Sequence, residues 1–230
     1  MSLDKQRQET FQYYDEVATE YDEFYKGSGQ ASITIPALYE EEARQVATLL
    51  PDYIAGDHID LACGTCFWLP HYHARCSQII LFDQSEKMLR RGSLRVSELG
   101  IAGKTKIIRG DILTYSFQIH KYDSALVGLL IGHFNDVEES QFFDILKGTI
   151  KPNGKFVIIE SAWSDERAAV RPKASVQKRN LGRRKFEVFK KYFTEKDFEN
   201  LSKKFKIRLE IVQSGKVFIT AVGMFTNPTV

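Results

Sequence analysis

The run "YDSALVGLLI" at residues 122–131 has no polar side chain after Ser124. A stretch this short and this uniformly apolar predicts a strand covered on both faces, as in parallel sheets with helices packed above and below. Four more β-rich runs fit beside it: "DHIDL" (57–61), "SQIILF" (77–82), "KTKIIRG" (104–110) and "GKFVIIE" (154–160), the last introduced by the turn Lys151-Pro152-Asn153-Gly154. Residues Ser85–Leu99 and Val137–Ile150 between them have helical spacing, and Ser85 stands as an N-cap before Met88 and Leu89. Near the end, "FKIRLEIV" and "KVFITAVGMF" flank Gln213-Ser214-Gly215, which predicts a hairpin whose last strand enters the sheet antiparallel. The expected fold is therefore α/β and doubly wound, with a mostly parallel seven-stranded sheet.

Two helical patterns, Asp4–Phe24 and Pro36–Leu50, precede the first strand, and residues 163–192 match no core strand. The expected organisation is a single domain over residues 1–230, with a helical cap at about 1–50 and an insertion at about 163–192. Three cysteines cannot build a disulfide framework, the start "MSLDKQRQET" has no apolar segment, and no stretch reaches the roughly 20 apolar residues that span a bilayer. A cytoplasmic protein with no membrane span is expected.

The net charge of +2 conceals an asymmetry. Residues 1–60 carry 4 basic and 13 acidic side chains, whereas residues 171–191 carry nine basic ones against Glu187 alone. Such a basic excess is either a solvated face or a meeting place for an anionic substrate.

The densest cluster of reactive side chains is "DLACGTCFWLPHYHARC", from Asp60 to Cys76. Zinc fits it poorly: Cys63, Cys66, His71, His73 and Cys76 lie within fourteen residues, too close for two ligand pairs to wrap an ion. No metal is expected. A redox pair at Cys63 and Cys66 has only the bare CxxC spacing behind it. As a strand-to-helix turn the same letters make sense. Small residues at Ala62, Gly64 and Cys66 let backbone approach a ligand, and Asp83 closes the next strand within reach of a ribose. One glycine and an acid do not suit a pyrophosphate, so a dinucleotide is disfavoured and a cationic ligand favoured.

In this form "DLACGTC" resembles the D/E-x-G-x-G-x-G motif of class I S-adenosylmethionine-dependent methyltransferases. "LFDQSEKML", "RGDIL" (109–113) and "LKGTIKPNGKFVIIE" are similar to that family's later motifs in order, and "YYDEVATEYDEFY" to the entry segment of its small-molecule members. Ala62 and Cys66 depart from the motif's first and third glycines. The resemblance implies S-adenosylmethionine as cofactor and S-adenosylhomocysteine as product. It implies that Asp60, Ala62, Cys63 and Gly64 hold the methionine part, Asp83 the ribose, and Gln84 and Met88 the adenine faces. Asp111 and Ile112 would meet the adenine edge, while Gly128 and Leu129 line the floor beneath the sulfonium. Tyr14 and Tyr21, seven apart, would close over the cofactor.

Methyl transfer asks for alignment and water exclusion, with a base where the acceptor carries a proton. His133, just past the fourth strand, is the candidate base. Trp163, Arg171, Arg179, Arg183, Arg184 and Tyr192 of the insertion would receive a small-molecule acceptor, an anionic one given the local charge. An RNA-modifying enzyme and a cofactor-binding protein without turnover are the competing readings. The near-neutral chain and the lack of an N/D-P-P-Y-type motif weigh against nucleic acid.

Overall fold

The computed structural model describes residues 3–33 and 35–226, and the side chains of residues 3 and 4 lie outside that description. In chain order, α1 (Leu3–Val17), a 3-10 turn (Tyr21–Lys26) and α2 (Pro36–Tyr53) precede β1 (Gly56–Leu61). Then follow α3 (Leu69–Tyr72), β2 (Cys76–Asp83), α4 (Glu86–Glu98), β3 (Thr105–Arg109), β4 (Tyr122–Gly128), α5 (Asp136–Thr149) and β5 (Ile150–Ser161). The chain continues through α6 (Asp165–Ala168), β6 (Ala174–Leu181), β7 (Arg184–Lys191), α7 (Glu195–Phe205), β8 (Ile207–Ser214) and β9 (Phe218–Phe225).

Seven strands form one sheet in the order β3-β2-β1-β4-β5-β9-β8, and β9 alone runs antiparallel to its neighbours. The central β4 explains the layering. Leu126 packs into an apolar cluster with α2, α3 and α4, while Ala125 and Val127 point into the opposite cluster with α5 and α7. Both faces are filled, as the apolar run requires. Glu42 of α2, buried, fastens that helix to the β8–β9 turn by accepting from the amides of Lys216, Val217 and Phe218 at 2.8–2.9 Å.

Several expectations shift by a physical cause. The N-terminal pattern breaks after Val17, so Tyr14 and Tyr21 do not share one helix. The segment after β1 is a four-residue helix and a 3-10 turn rather than a full crossover helix. Strand β4 ends at Gly128 because Leu129 turns left-handed at φ 54°, its amide held by the Ile159 carbonyl at 2.7 Å. Lys151–Gly154 is a bulge inside β5, since Tyr122 pairs with Ile150 and Ser124 with Lys155. The insertion contains the hairpin β6–β7, and helix α7, absent from the expected elements, follows it with a Thr194/Asp197 capping box.

Candidate active site

The carboxyl ends of β1, β2 and β4 converge beneath α1 and the β6–β7 hairpin. After β1 the backbone takes φ 60° at Ala62, 54° at Gly64 and 59° at Cys66. All three motif positions are therefore left-handed, and the two with side chains each cost about 1 kcal/mol over glycine. The reward is a tight loop: the Cys63 amide bonds the Phe82 carbonyl at 3.0 Å, and the Cys66 amide the Cys63 carbonyl at 2.8 Å. Asp83 sits at the rim, accepting from the Gly64 amide at 2.9 Å and the Ser85 amide at 2.8 Å, while burial pushes its carboxyl up.

Asp60 is buried and receives the Tyr72 hydroxyl at 2.7 Å. Burial outweighs that bond and pushes its carboxyl up to about 7. It lines a narrow chamber with Cys63, Gly64, Tyr25, Trp68 and Gly128. Gly64, Ala62, Tyr21 and Gly128 also border a larger cavity of about 240 Å³, which reaches Asp83, Gln84 and Met88. The larger cavity and the narrow chamber thus run together over the β1 loop. A carboxylate for an ammonium, bare left-handed backbone and a rim carboxylate match the donor set of a long cationic nucleoside, so the residues fit S-adenosylmethionine.

Asp111 does not line this cavity. Arg7 of α1 clasps its carboxylate and itself faces the cavity, while Ile112 is buried in the core beside α5. Leu129 borders the larger cavity and also a second, smaller one of about 50 Å³. Tyr14 and Tyr21 divide the two, their rings 6.0 Å apart. Tyr14 Oη lies 2.8 Å from Nε2 of His133, whose Nδ1 lies 2.7 Å from the Phe189 carbonyl. A carbonyl can only accept, so Nδ1 carries the proton and Nε2 accepts from Tyr14. Burial first, then the Lys190 charge, holds the imidazole well below its usual range.

The smaller cavity gathers Arg167, Arg179, Lys190, Tyr192 and Ser32. Arg167 is 1% exposed and has no carboxylate partner among the described residues: it donates to Ser32 Oγ at 2.9 Å and the Val217 carbonyl at 3.1 Å, and lies 4.5 Å over the Tyr192 ring. Among the described residues Arg179 bonds only Gln30 and Gln177, and the Nε of both arginines is buried without a partner. Lys190 pairs with buried Glu160 at 3.2 Å. Burial raises the Tyr192 phenol, but the Gln177 amide, Arg167, Lys190 and Arg179 outweigh it and bring it below its usual range.

Of the expected acceptor residues, Arg179 and Tyr192 are brought together here, and Trp163 stacks on Tyr192 at 6.0 Å without lining the cavity. Arg183 and Arg184 sit at the exposed hairpin tip, with Arg184 paired to Glu16. The buried Nε of Arg171 has no partner, and the residue lies outside the cavity. Arg167, Lys190 and Trp68 were missed; no spacing rule marks them, because helix α6, the hairpin register and the loop after β1 carry them inward in turn. Among the described residues no three His, Cys, Asp or Glu side chains converge as a metal site requires, and no helix is long and apolar enough to cross a membrane.

Residues 59–154 match the family model described as "Methyltransferase domain". No curated protein sequence matches the chain. Among solved structures, the DhpI complex titled with SAM and HEP is 18% identical, covering 97% of this chain and 100% of that one at TM-score 0.75. The PH0226 protein from Pyrococcus horikoshii OT3 is 20% identical, covering 90% and 99%, at 0.64. The glycopeptide N-methyltransferase MtfA, complexed with S-adenosylmethionine, is 14% identical, covering 80% and 93%, at 0.57. Residues 59–154 are thus similar to a methyltransferase domain, and the fold that encloses them is shared with these methyltransferase structures. DhpI is solved with SAM and with SAH, and MtfA with S-adenosylmethionine.

Proposed function

We propose that the chain acts as one methyltransferase unit, capped by residues 1–50 and 163–192, that methylates a small acceptor bearing an anionic group. The carrying observation is Arg167, a guanidinium 1% exposed that makes no ion pair with a carboxylate among the described residues. A buried cation left uncompensated costs several kcal/mol, and an incoming anion removes that cost. Arg179 and the depressed Tyr192 phenol point the same way, because each favours negative charge in the same small space, whereas Lys190 is already paired with Glu160 and the exposed Glu20 lies at the cavity's edge. Its narrowness favours a small acid over an extruded nucleobase, and three free cysteines suit a cytoplasmic setting.

The cofactor supplies an activated methyl group; the chain supplies placement. Asp60 holds the ammonium, Asp83 the ribose hydroxyls, Gln84 and Met88 the adenine, and Gly128 and Leu129 the floor between the cavities. Tyr14 and Tyr21 exclude water at the junction. His133, starved of proton affinity by burial and Lys190, is a weak base. It holds Tyr14 in place for an acceptor that arrives ionised, and takes a proton through Tyr14 from one that does not.

The test is turnover of S-adenosylmethionine against an acceptor panel sorted by charge, with Arg167→Met alongside. Methylation confined to anionic acceptors, with KM raised at least tenfold in the variant, is expected. Equal use of neutral acceptors would overturn the anionic reading. Methylation of RNA together with steeply salt-dependent RNA binding would replace it with the RNA reading, and binding without turnover of any acceptor would leave only a cofactor-binding protein.

A further inference from the structure

The narrow chamber past Gly64 holds one carboxylate and one idle donor. Trp68 is 4% exposed, and its indole Nε1 is buried without a hydrogen-bond partner. It stands 3.8 Å from where a methyl on Gly128 would lie, so it faces the chamber floor. The left-handed turn at Cys66 brings Trp68 back over the loop, and Tyr25 edge-on at 5.2 Å with Phe218 at 6.4 Å packs around the ring. The N–H is held where it is and cannot turn to solvent. An unmet buried donor is destabilising, and native sites keep one where a ligand completes it.

The amino-acid end of the cofactor carries an ammonium and a carboxylate. Asp60 suits the ammonium and repels the carboxylate. Neighbouring donors are engaged: the Gly64 amide with Asp83 at 2.9 Å, the Thr65 hydroxyl with Asp22 at 2.5 Å, and Arg95 with the Thr65 carbonyl and Asp22, both at 2.9 Å. Tyr25 also borders the chamber, and the indole N–H lies near enough to favour its phenolate, yet that N–H makes no hydrogen bond among the described residues, so an arriving carboxylate competes only with this weak contact.

We propose that the Trp68 indole N–H receives the cofactor's carboxylate, opposite the ammonium held by Asp60, and so makes this chain selective for the intact amino-acid tail. The proposal rests on the cofactor reading. It gives the single strand-to-helix loop both halves of zwitterion recognition, Asp60 at its start and Trp68 at its end.

Calorimetry with S-adenosylhomocysteine and its decarboxylated analogue, which keeps the amine, tests it. The native protein should bind the intact compound about tenfold tighter, the scale of one charge-assisted hydrogen bond. Trp68→Phe should erase that preference by weakening the intact compound alone, whereas Asp60→Asn should weaken both. Equal weakening of both ligands by Trp68→Phe, or of neither, overturns the proposal. If Trp68→Phe misfolds, the native protein suffices, because Trp68 and Trp163 are its only tryptophans. The Trp68 indole proton, assigned with Trp163→Phe, should move downfield in nuclear magnetic resonance spectra with the intact compound and not with the analogue; identical shifts overturn the proposal. A native protein that binds neither compound overturns the cofactor reading itself, and this one with it.

Discussion

Tyr14 and His133, 119 residues apart in sequence, share a 2.8 Å hydrogen bond that runs one way, because the Phe189 carbonyl fixes the imidazole proton on Nδ1. His133→Ala should free the Tyr14 ring and lower kcat about 10–100-fold, the usual scale for a displaced positioning group. Affinity for S-adenosylhomocysteine should change much less. With an ionised acceptor, the native pH–rate profile should show no His133 inflection in the usual imidazole range, since burial and the Lys190 charge hold that ring well below it. Steady-state kinetics against pH checks both.

Asp60 predicts proton release on cofactor binding. Its carboxyl is pushed up to about 7, and the ammonium needs it ionised. Affinity should therefore rise from pH 6 to 8 and fall up to about tenfold per unit below 7. Calorimetry in two buffers of different ionisation enthalpy measures the released proton, and Asp60→Asn should abolish it. The sign for the free protein is opposite. The folded state holds this proton above the unfolded carboxyl range near 4, so the group's stabilising contribution is present below that and lost as pH rises through 7.

His58 works against stability in acid. It is fully buried, its Nδ1 bonded to Ser124 Oγ at 2.9 Å and its Nε2 without a partner. Burial pushes its imidazole down to about 3. Between the unfolded value near 6.5 and that figure, only the unfolded chain takes the proton, so stability is lost as pH falls through this window, by an amount on the order of 5 kcal/mol. Urea midpoints should fall less steeply with acid in a folded His58→Leu variant.

Gly92 of α4 leaves room for the cofactor loop. A methyl there would stand 2.6 Å from Cys66 Sγ. Gly92→Ala should cost about 1–3 kcal/mol through overpacking and weaken cofactor binding by displacing the loop. Cys66→Gly removes both the clash and the left-handed strain, so the double variant should recover most of the loss. A thermal-denaturation double-mutant cycle measures the coupling.

The strands were legible because each announces itself through burial, in the apolar run of β4, the alternation around it and the hairpin signal at Gln213-Ser214-Gly215, whereas their order across the sheet was not. The loop was legible too, since few residue types tolerate positive φ, and Gly64 stood between two small neighbours. Helix α7 was readable and overlooked, for Thr194-x-x-Asp197 caps it and Phe198, Leu201 and Phe205 fall at helical spacing. Arg167 and Lys190 were not readable, since pairing within the hairpin and the isolated Ala162–Phe193 bridge decide which basic side chains turn inward. Asp111 misled because the acid is present where the motif wants it, yet Arg7 reaches it first.

Helix α1 is pinned to the body at its edges largely by ions: Arg7 to Asp111, Asp15 to Lys87, Glu16 to Arg184, with Glu9 on the Glu187 amide. Helix α1 is thus a clasp over the larger cavity, fastened to the hairpin by Glu16 and Glu9 and to the sheet side by Arg7 and Asp15. Surface attractions of this kind fade within about 8–10 Å in physiological electrolyte. Added salt should therefore slacken the clasp, letting spent cofactor depart sooner while fresh cofactor is gripped less firmly.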